Sequence, residues 1–261
     1  MKDRKAEALA AAQACAELLK TRFGARRVIV FGSLIGQGPW HVCSDIDLAV
    51  EGLADEAFFA AYSACCDLLP PGLKLDLVPL EDAYPEMRAR ILGEVEMPKD
   101  PVLALKGLIE DELIALERVA QEMEDLLAVC AQPPTRTELR AMASMLHEFY
   151  NGVERIFQRI AIRLGEGVPR GEYWHVDLLN QMAEEREGVR PAVIEGPLRD
   201  TLEEYLRFRH FFRHAYGYTL EWVKIRPLAE GMAEALEKLR AQLMAFLESM
   251  VECIDPERST P

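Results

Sequence analysis

Residues 27–50 read RVIVFGSLIGQGPWHVCSDIDLAV. Two short β-branched, apolar runs, Arg27–Phe31 and Ile46–Val50, frame a turn-rich segment over 36–44, and the first run stops at Gly32. Runs of this length bounded by Gly and Pro read as strands. With a strand's period of two, Asp45 and Asp47 point to one side while Ile46 and Leu48 face the core. Two carboxylates so placed at a strand's start repel each other and are poorly solvated unless a cation lies between them.

Working outward, a third acid lies in the alternating run Leu73-Lys74-Leu75-Asp76-Leu77-Val78. Its leucines occupy one face and leave Lys74 and Asp76 on the other. One Asp on a strand is ordinarily a solvated residue, so the joint pattern carries the reading. Three carboxylates converging from adjacent strands make an oxygen-rich site for Mg²⁺. Gly32-Ser33 at a strand end brings backbone N–H groups and a hydroxyl close to phosphate oxygens. Around these strands, Ala6–Thr21 and Ala54–Leu69 read as helices, the latter closed by Pro70-Pro71-Gly72, and residues 79–92 as a turn and a further helix. The sum is a small mixed sheet with flanking helices.

The pattern changes at Met97-Pro98-Lys99-Asp100-Pro101. Beyond it, Val102–Cys130 is one long helical pattern ended by Pro133-Pro134. Thr137 is the expected N-cap of the next helix, whose apolar face carries Leu139, Met142, Leu146, Phe149, Val153, Ile156, Phe157 and Ile160. Tyr173–Arg186, residues 197–216 and Pro227–Val251 complete a bundle. The expected fold class is therefore α+β with more than one domain: a mixed sheet over 1–98, an all-α bundle over 99–255, and a frayed tail over 256–261.

Composition limits the function. The chain has 261 residues, 30 Lys plus Arg against 44 Asp plus Glu, and a net charge of −14. Residues 1–98 hold 10 basic and 15 acidic side chains, and the remainder 20 and 29, so both parts are acidic. A protein that coats nucleic acid by charge alone is excluded. No run of eighteen apolar residues occurs, and the N-terminal stretch lacks an apolar secretory core, so the expectation is a cytoplasmic protein without a membrane span. Six cysteines, with no CxxC pair, read as small thiols of a reducing compartment.

One segment reverses the acidic balance. Residues 203–221 read EEYLRFRHFFRHAYGYTLE, with three Arg and two His and no acid from Arg207 to His214. Arg209 and His214 are five apart, about 7.5 Å of helical rise and about 140° of rotation, and would share a site most easily at a helix end such as Gly217 marks. Phe208, Phe211 and Phe212 read as packing residues.

The first motif set, FGS, SDIDLAV and LDLV, resembles the nucleotidyltransferase superfamily that includes DNA polymerase beta, in particular its minimal bacterial branch, over about the first 95 residues. The resemblance implies that Gly32 and Ser33 bind nucleotide phosphates and that Asp45 and Asp47 hold two Mg²⁺ ions. It implies that Asp76 joins them and assists deprotonation of the attacking hydroxyl, with ATP or another nucleoside triphosphate as donor. Eleven residues separate Ser33 from Asp45, one more than the commonest minimal spacing, and Trp40-His41-Val42-Cys43 replaces the usual small polar and basic stretch.

The second set resembles the R-x4-H-x-Y signature of the HEPN superfamily, specifically HepT-like ribonuclease toxins, with Arg209, His214 and Tyr216 matching it. That implies metal-independent RNA cleavage at a homodimer interface, with His214 moving a proton and Arg209 holding the scissile phosphate. Arg207 and Arg213 become candidates for positioning RNA, and His210 an accessory or structural residue. Minimal nucleotidyltransferases commonly accompany HEPN toxins as antitoxins, and in some pairs add AMP to the motif tyrosine. Tyr216 is the matching acceptor, and Tyr218 is a second hydroxyl. Two other readings stay open: a transferase acting on a small hydroxylated substrate such as an aminoglycoside, and a non-enzymatic regulatory or assembly module.

Overall fold

The computed structural model describes residues 2–36, 40, 44–95, 98, 100–214 and 220–254, with the backbone alone at 2, 3, 214 and 251–254. The chain divides into two compact units, Met1–Met97 and Pro98–Pro261.

In the first unit the order is α1 (Lys2–Phe23), β1 (Arg27–Phe31), a 3-10 turn (Gly32–Ile35), β2 (Ile46–Glu51), a second 3-10 turn (Asp55–Ala57), α2 (Phe58–Cys66), β3 (Leu75–Pro79) and α3 (Pro85–Leu92). Strand β2 is central, antiparallel to β1 and parallel to β3. A parallel pair needs a crossover, which α2 supplies. Alternation along the strands assigns the two faces. Ile46, Leu48, Val50, Leu75 and Leu77 pack with Ala8, Ala12, Cys15 and Leu19 of α1 and with Ala61 and Cys65 of α2. The opposite face holds a smaller cluster of Ala49, Leu80 and Ile91, with Ile29 and Phe31 against it. The expected helix over 54–69 is shorter than its pattern. Only Phe58–Cys66 is α-helical, and the chain tightens into three-residue turns at Leu68 and Leu69 ahead of Pro70, which cannot continue a helix.

The second unit consists of α4 (Pro101–Val129), α5 (Arg136–Arg163), α6 (Trp174–Ala183), α7 (Gly196–His214) and α8 (Trp222–Ile254). Among its described residues the only β-pairing is one isolated bridge, Arg186 to Arg190. The chain is α+β. Asp100 caps α4 by accepting from the N–H groups of Val102 and Leu103 at 2.8 and 2.9 Å. The cap of α5 is Thr135, not Thr137: Thr135 Oγ1 accepts from the Glu138 N–H at 3.3 Å and the Glu138 carboxylate accepts from the Thr135 N–H at 2.6 Å. Thr-x-x-Glu spacing decides this, because only Thr135 has a glutamate three residues on. Helix α6 ends at Ala183, three residues before the expected Arg186, and α8 begins five residues before Pro227. The carbonyl that Pro227 cannot pair is that of Val223, itself exposed, so solvent can satisfy it.

Helix α5 is the hub, touching α4, α6, α7 and α8. Its fully buried Phe149, Tyr150, Val153, Ile156 and Phe157 join Leu116 of α4, Leu179 of α6, Tyr205 of α7 and Leu239 of α8 in one core. Gly152 permits a close approach to α4, since a Cβ there would lie 2.5 Å from Leu116 Cδ2.

Candidate functional site

The acidic face follows from strand register. Asp47 stands opposite Phe31 on one side and opposite Asp76 on the other. Partners across a parallel pair share a face, so Asp47 and Asp76 lie side by side, and Asp45 precedes β2 at the same end. Asp47 is half-buried and Asp76 exposed. Gly32, at φ +73°, sits against Asp47: a Cβ there would come within 2.1 Å of Asp47 Oδ2. The 3-10 turn that begins at Gly32 thus needs glycine both for its backbone conformation and for this close approach. The donors gathered here are carboxylate oxygens, the chemistry a hard divalent cation prefers. Among the described residues, no group of three His, Cys, Asp or Glu already stands in a metal-holding cluster. The face is a row of acids beside a tight turn, with Ser33 following in that turn.

The second site is built where α5, α6 and α7 meet. On α7, Leu202, Tyr205, Leu206 and Arg209 recur at helical spacing on one buried stripe, so Arg209 points inward. Its Nε donates to Asn151 Oδ1 at 2.5 Å, and its Nη2 donates to Glu154 Oε1 at 3.2 Å. Glu154 and Arg209 are each 8% exposed in their side chains, a buried ion pair. The other Glu154 oxygen is bound to His175 Nδ1 of α6. A carboxylate can only accept, so Nδ1 carries the proton and donates. The 3.4 Å contact between Arg209 Nη1 and that same nitrogen is then donor against donor and no hydrogen bond. Asn151 must present its oxygen to Arg209, so its Nδ2 donates to His147 Nδ1 at 3.2 Å. His147 in turn lies against Phe212, which stacks on Phe208.

Electrostatics follow from this packing. Burial holds Arg209 below its ordinary range, opposed by Glu154, yet guanidinium stays charged. Burial lowers His147, and the Arg209 and Arg213 charges lower it further. Burial also lowers His175, Glu154 pulls it back up, and Arg209 and Arg213 add to the lowering, with a net downward result. Two neutral histidines therefore flank one buried arginine at neutral pH.

The basic island of the sequence is weaker than its count of charges. Arg207 is held by Glu203 and Glu204 at 2.7 and 2.6 Å, and Arg209 is engaged by Glu154, while Arg213 and His210 are exposed. Phe208 and Phe212 pack as expected, but Phe211 is 48% exposed because it falls on the outer side of α7. Helix α7 ends at His214, whose side chain lies outside the described residues, as do Tyr216, Gly217, Tyr218 and Cys43. Among the described cysteines, Cys15, Cys65, Cys66 and Cys130 are free thiols. No helix among the described residues is long and apolar enough to cross a membrane. Sequence reasoning passed over His147, Asn151, Glu154 and His175. The first three share a stripe within about 60° on α5, at 100° per residue, beside its apolar face. A polar stripe in that place was the available signal; His175 had none.

The fold and cluster define a helical bundle with a buried Arg–Glu–His centre. Residues 141–250, from α5 into α8, match the family model described as HepT-like protein. Over that region the chain is similar to HEPN-type proteins. No curated protein and no solved structure matches the chain.

Proposed function

We propose that the chain is a fused toxin–antitoxin-type protein. Its helical unit is a HepT-like ribonuclease, and its first unit is a nucleotidyltransferase that silences it by modifying Tyr216, or Tyr218 two residues on. The observation that carries the reading is the coexistence, in one chain, of a HepT-like region with a buried Arg209 centre and a strand face where Asp47 adjoins Asp76 beside Gly32.

In the transferase, Asp45, Asp47 and Asp76 would hold divalent ions such as Mg²⁺, two in all. Bound there, such ions neutralise triphosphate charge and the leaving pyrophosphate. The Gly32–Ser33 turn cradles phosphate oxygens with its N–H groups and hydroxyl. Asp76 takes the tyrosine hydroxyl proton, the phenolic oxygen bonds to the α-phosphorus of ATP, and pyrophosphate departs. The added nucleotidyl group carries negative charge next to Arg209 and His214 in sequence and fills space that RNA needs. In the ribonuclease, His214 moves a proton and Arg209 offsets charge on the scissile phosphate, two copies meeting in a homodimer.

The test is intact-mass analysis of unmodified full-length protein incubated with Mg-ATP, alongside RNA cleavage before and after. One added nucleotidyl group with loss of cleavage supports the reading. Modification of an aminoglycoside without self-modification would replace it.

A further inference from the structure

The His175–Glu154 pair has a geometry that the Arg209/His214 assignment leaves unused. Glu154 of α5 is buried among Phe149, Tyr150 and Val153, where a carboxylate is costly unless several hydrogen bonds serve it. One of its oxygens is held by Arg209 of α7 and the other by His175 of α6. The carboxylate therefore fixes one tautomer of His175: proton on Nδ1, lone pair on Nε2. Among the described residues Nε2 has no hydrogen-bond partner, and it is not among the buried unpaired polar atoms. The His175 side chain is 16% exposed, twice either partner, with the Trp174 ring lying 3.7 Å away, centroid to centroid. Arg209 Nη1, beside the imidazole, has no carboxylate or carbonyl partner among the described residues. A base with its tautomer locked, next to a cationic donor, matches the needs of a ribose hydroxyl adjoining a phosphodiester.

We propose that His175, oriented by Glu154, is the general base of the ribonuclease, an inference that rests on the HepT-like reading above. His175 Nε2 removes the proton from a ribose 2′-hydroxyl. The 2′-oxygen forms a bond to the adjacent phosphorus, and the bond from phosphorus to the 5′-oxygen breaks. The leaving oxygen takes a proton from solvent, giving a 2′,3′-cyclic phosphate end and a 5′-hydroxyl end. Arg209 stands beside the base and stabilises the charge that builds on the phosphate. The charged and titratable groups facing His175 are Glu154 from α5 and Arg209 and Arg213 from α7, with His147 on the far side of Asn151. Burial and the two arginines keep the imidazole unprotonated below the ordinary histidine range, as a base working at neutral pH requires.

The test uses unmodified full-length protein, fluorophore-labelled single-stranded RNA of random sequence, and cleavage rates from about pH 5 to 9. Three variants are compared with wild type: R209A, H175N and H175Q. Asn at 175 can place its amide where Nδ1 stood and keep donating to Glu154, so H175N preserves the structural contact and removes only the base. The expected result is Arg209-dependent cleavage by wild type and a fall of about 10²- to 10⁴-fold for H175N. The acidic limb of the pH profile should disappear in that variant while its melting temperature stays near wild type. H175N cleaving at the wild-type rate, or keeping the acidic limb, would overturn the role of His175 and leave the ribonuclease reading standing. Wild type giving no Arg209-dependent cleavage would overturn both. Should neither H175N nor H175Q fold, nitrogen-15 NMR of the wild-type imidazole decides: an Nδ1–H tautomer titrating below the ordinary histidine value supports the proposal, and an Nε2–H tautomer refutes it.

Discussion

Replacing Glu154 by Gln removes one charge from an ion pair whose two side chains are each 8% exposed. At the 3.2 Å separation of Glu154 Oε1 and Arg209 Nη2, Coulomb attraction at an effective dielectric of 20 is about 5 kcal/mol. Breaking a buried pair by removing one partner costs about 3–5 kcal/mol, because the other charge stays desolvated. The Gln carbonyl can still accept one hydrogen bond, which returns about 1 kcal/mol. Asn151 keeps its contact with Arg209 Nε in either case. The expected loss is therefore roughly 2–4 kcal/mol. Urea unfolding of the full chain, followed by far-UV circular dichroism through the helical unit's transition, measures it. Arg209→Met should cost a similar amount, and the double variant should be less damaged than the sum of the two, since neither charge is then stranded. A Glu154→Gln loss below about 1 kcal/mol, or strictly additive singles, would refute the buried pair as the organising contact of the site.

Three further outcomes follow from the geometry. Gly32→Ala must place a Cβ 2.1 Å from Asp47 Oδ2 at a φ of +73°, so either the carboxylate or the turn has to move; thermal melting should show a loss of at least about 1–2 kcal/mol, and nucleotidyl transfer should fail. Gly152→Ala gains up to about 1 kcal/mol of helix propensity but drives a methyl to 2.5 Å from buried Leu116 Cδ2, so denaturant unfolding should register a net loss of roughly 1–2 kcal/mol. Folding lowers the affinity of His147 and His175 for protons below that of the unfolded chain, whose histidines titrate near about 6.5. The unfolded state therefore binds more protons once pH drops through that value, and stability should fall on acidification from about 6.5 until the folded-state imidazoles also protonate. Paired His147→Gln and His175→Asn substitutions should flatten that dependence in melting curves taken across the window.

Much of the first unit was legible because its strands obey a strict period of two. Ile46 and Leu48 face one core, and Asp47 falls opposite Asp76 with no long-range information beyond which strands pair. The Thr135 cap is equally readable from Thr-x-x-Glu spacing, since Thr137 has Arg140, not an acid, three residues on. The R-x4-H-x-Y spacing singles out Arg209 but says nothing of which way its side chain points. Leu202, Tyr205, Leu206 and Arg209 lie on one stripe, and that stripe places the guanidinium indoors and in need of a carboxylate. Which carboxylate was beyond reach. Glu154 is 55 residues away and His175 is 34, and their convergence depends on how α5, α6 and α7 pack, information that helical periodicity does not contain. Neighbouring Glu203 and Glu204 are visible in the sequence, and they offset the charge of Arg207 in the basic island.

The central claim is that one chain carries a ribonuclease centre and the transferase that silences it. Intact-mass analysis of full-length protein, first shown to be unmodified and then incubated with Mg-ATP, tests it most directly. The account predicts the added mass of one nucleotidyl group, mapped by peptide fragmentation to Tyr216 or Tyr218, absent from Asp45→Asn protein and accompanied by loss of RNA cleavage. A folded wild-type chain that gains no mass under these conditions would contradict it.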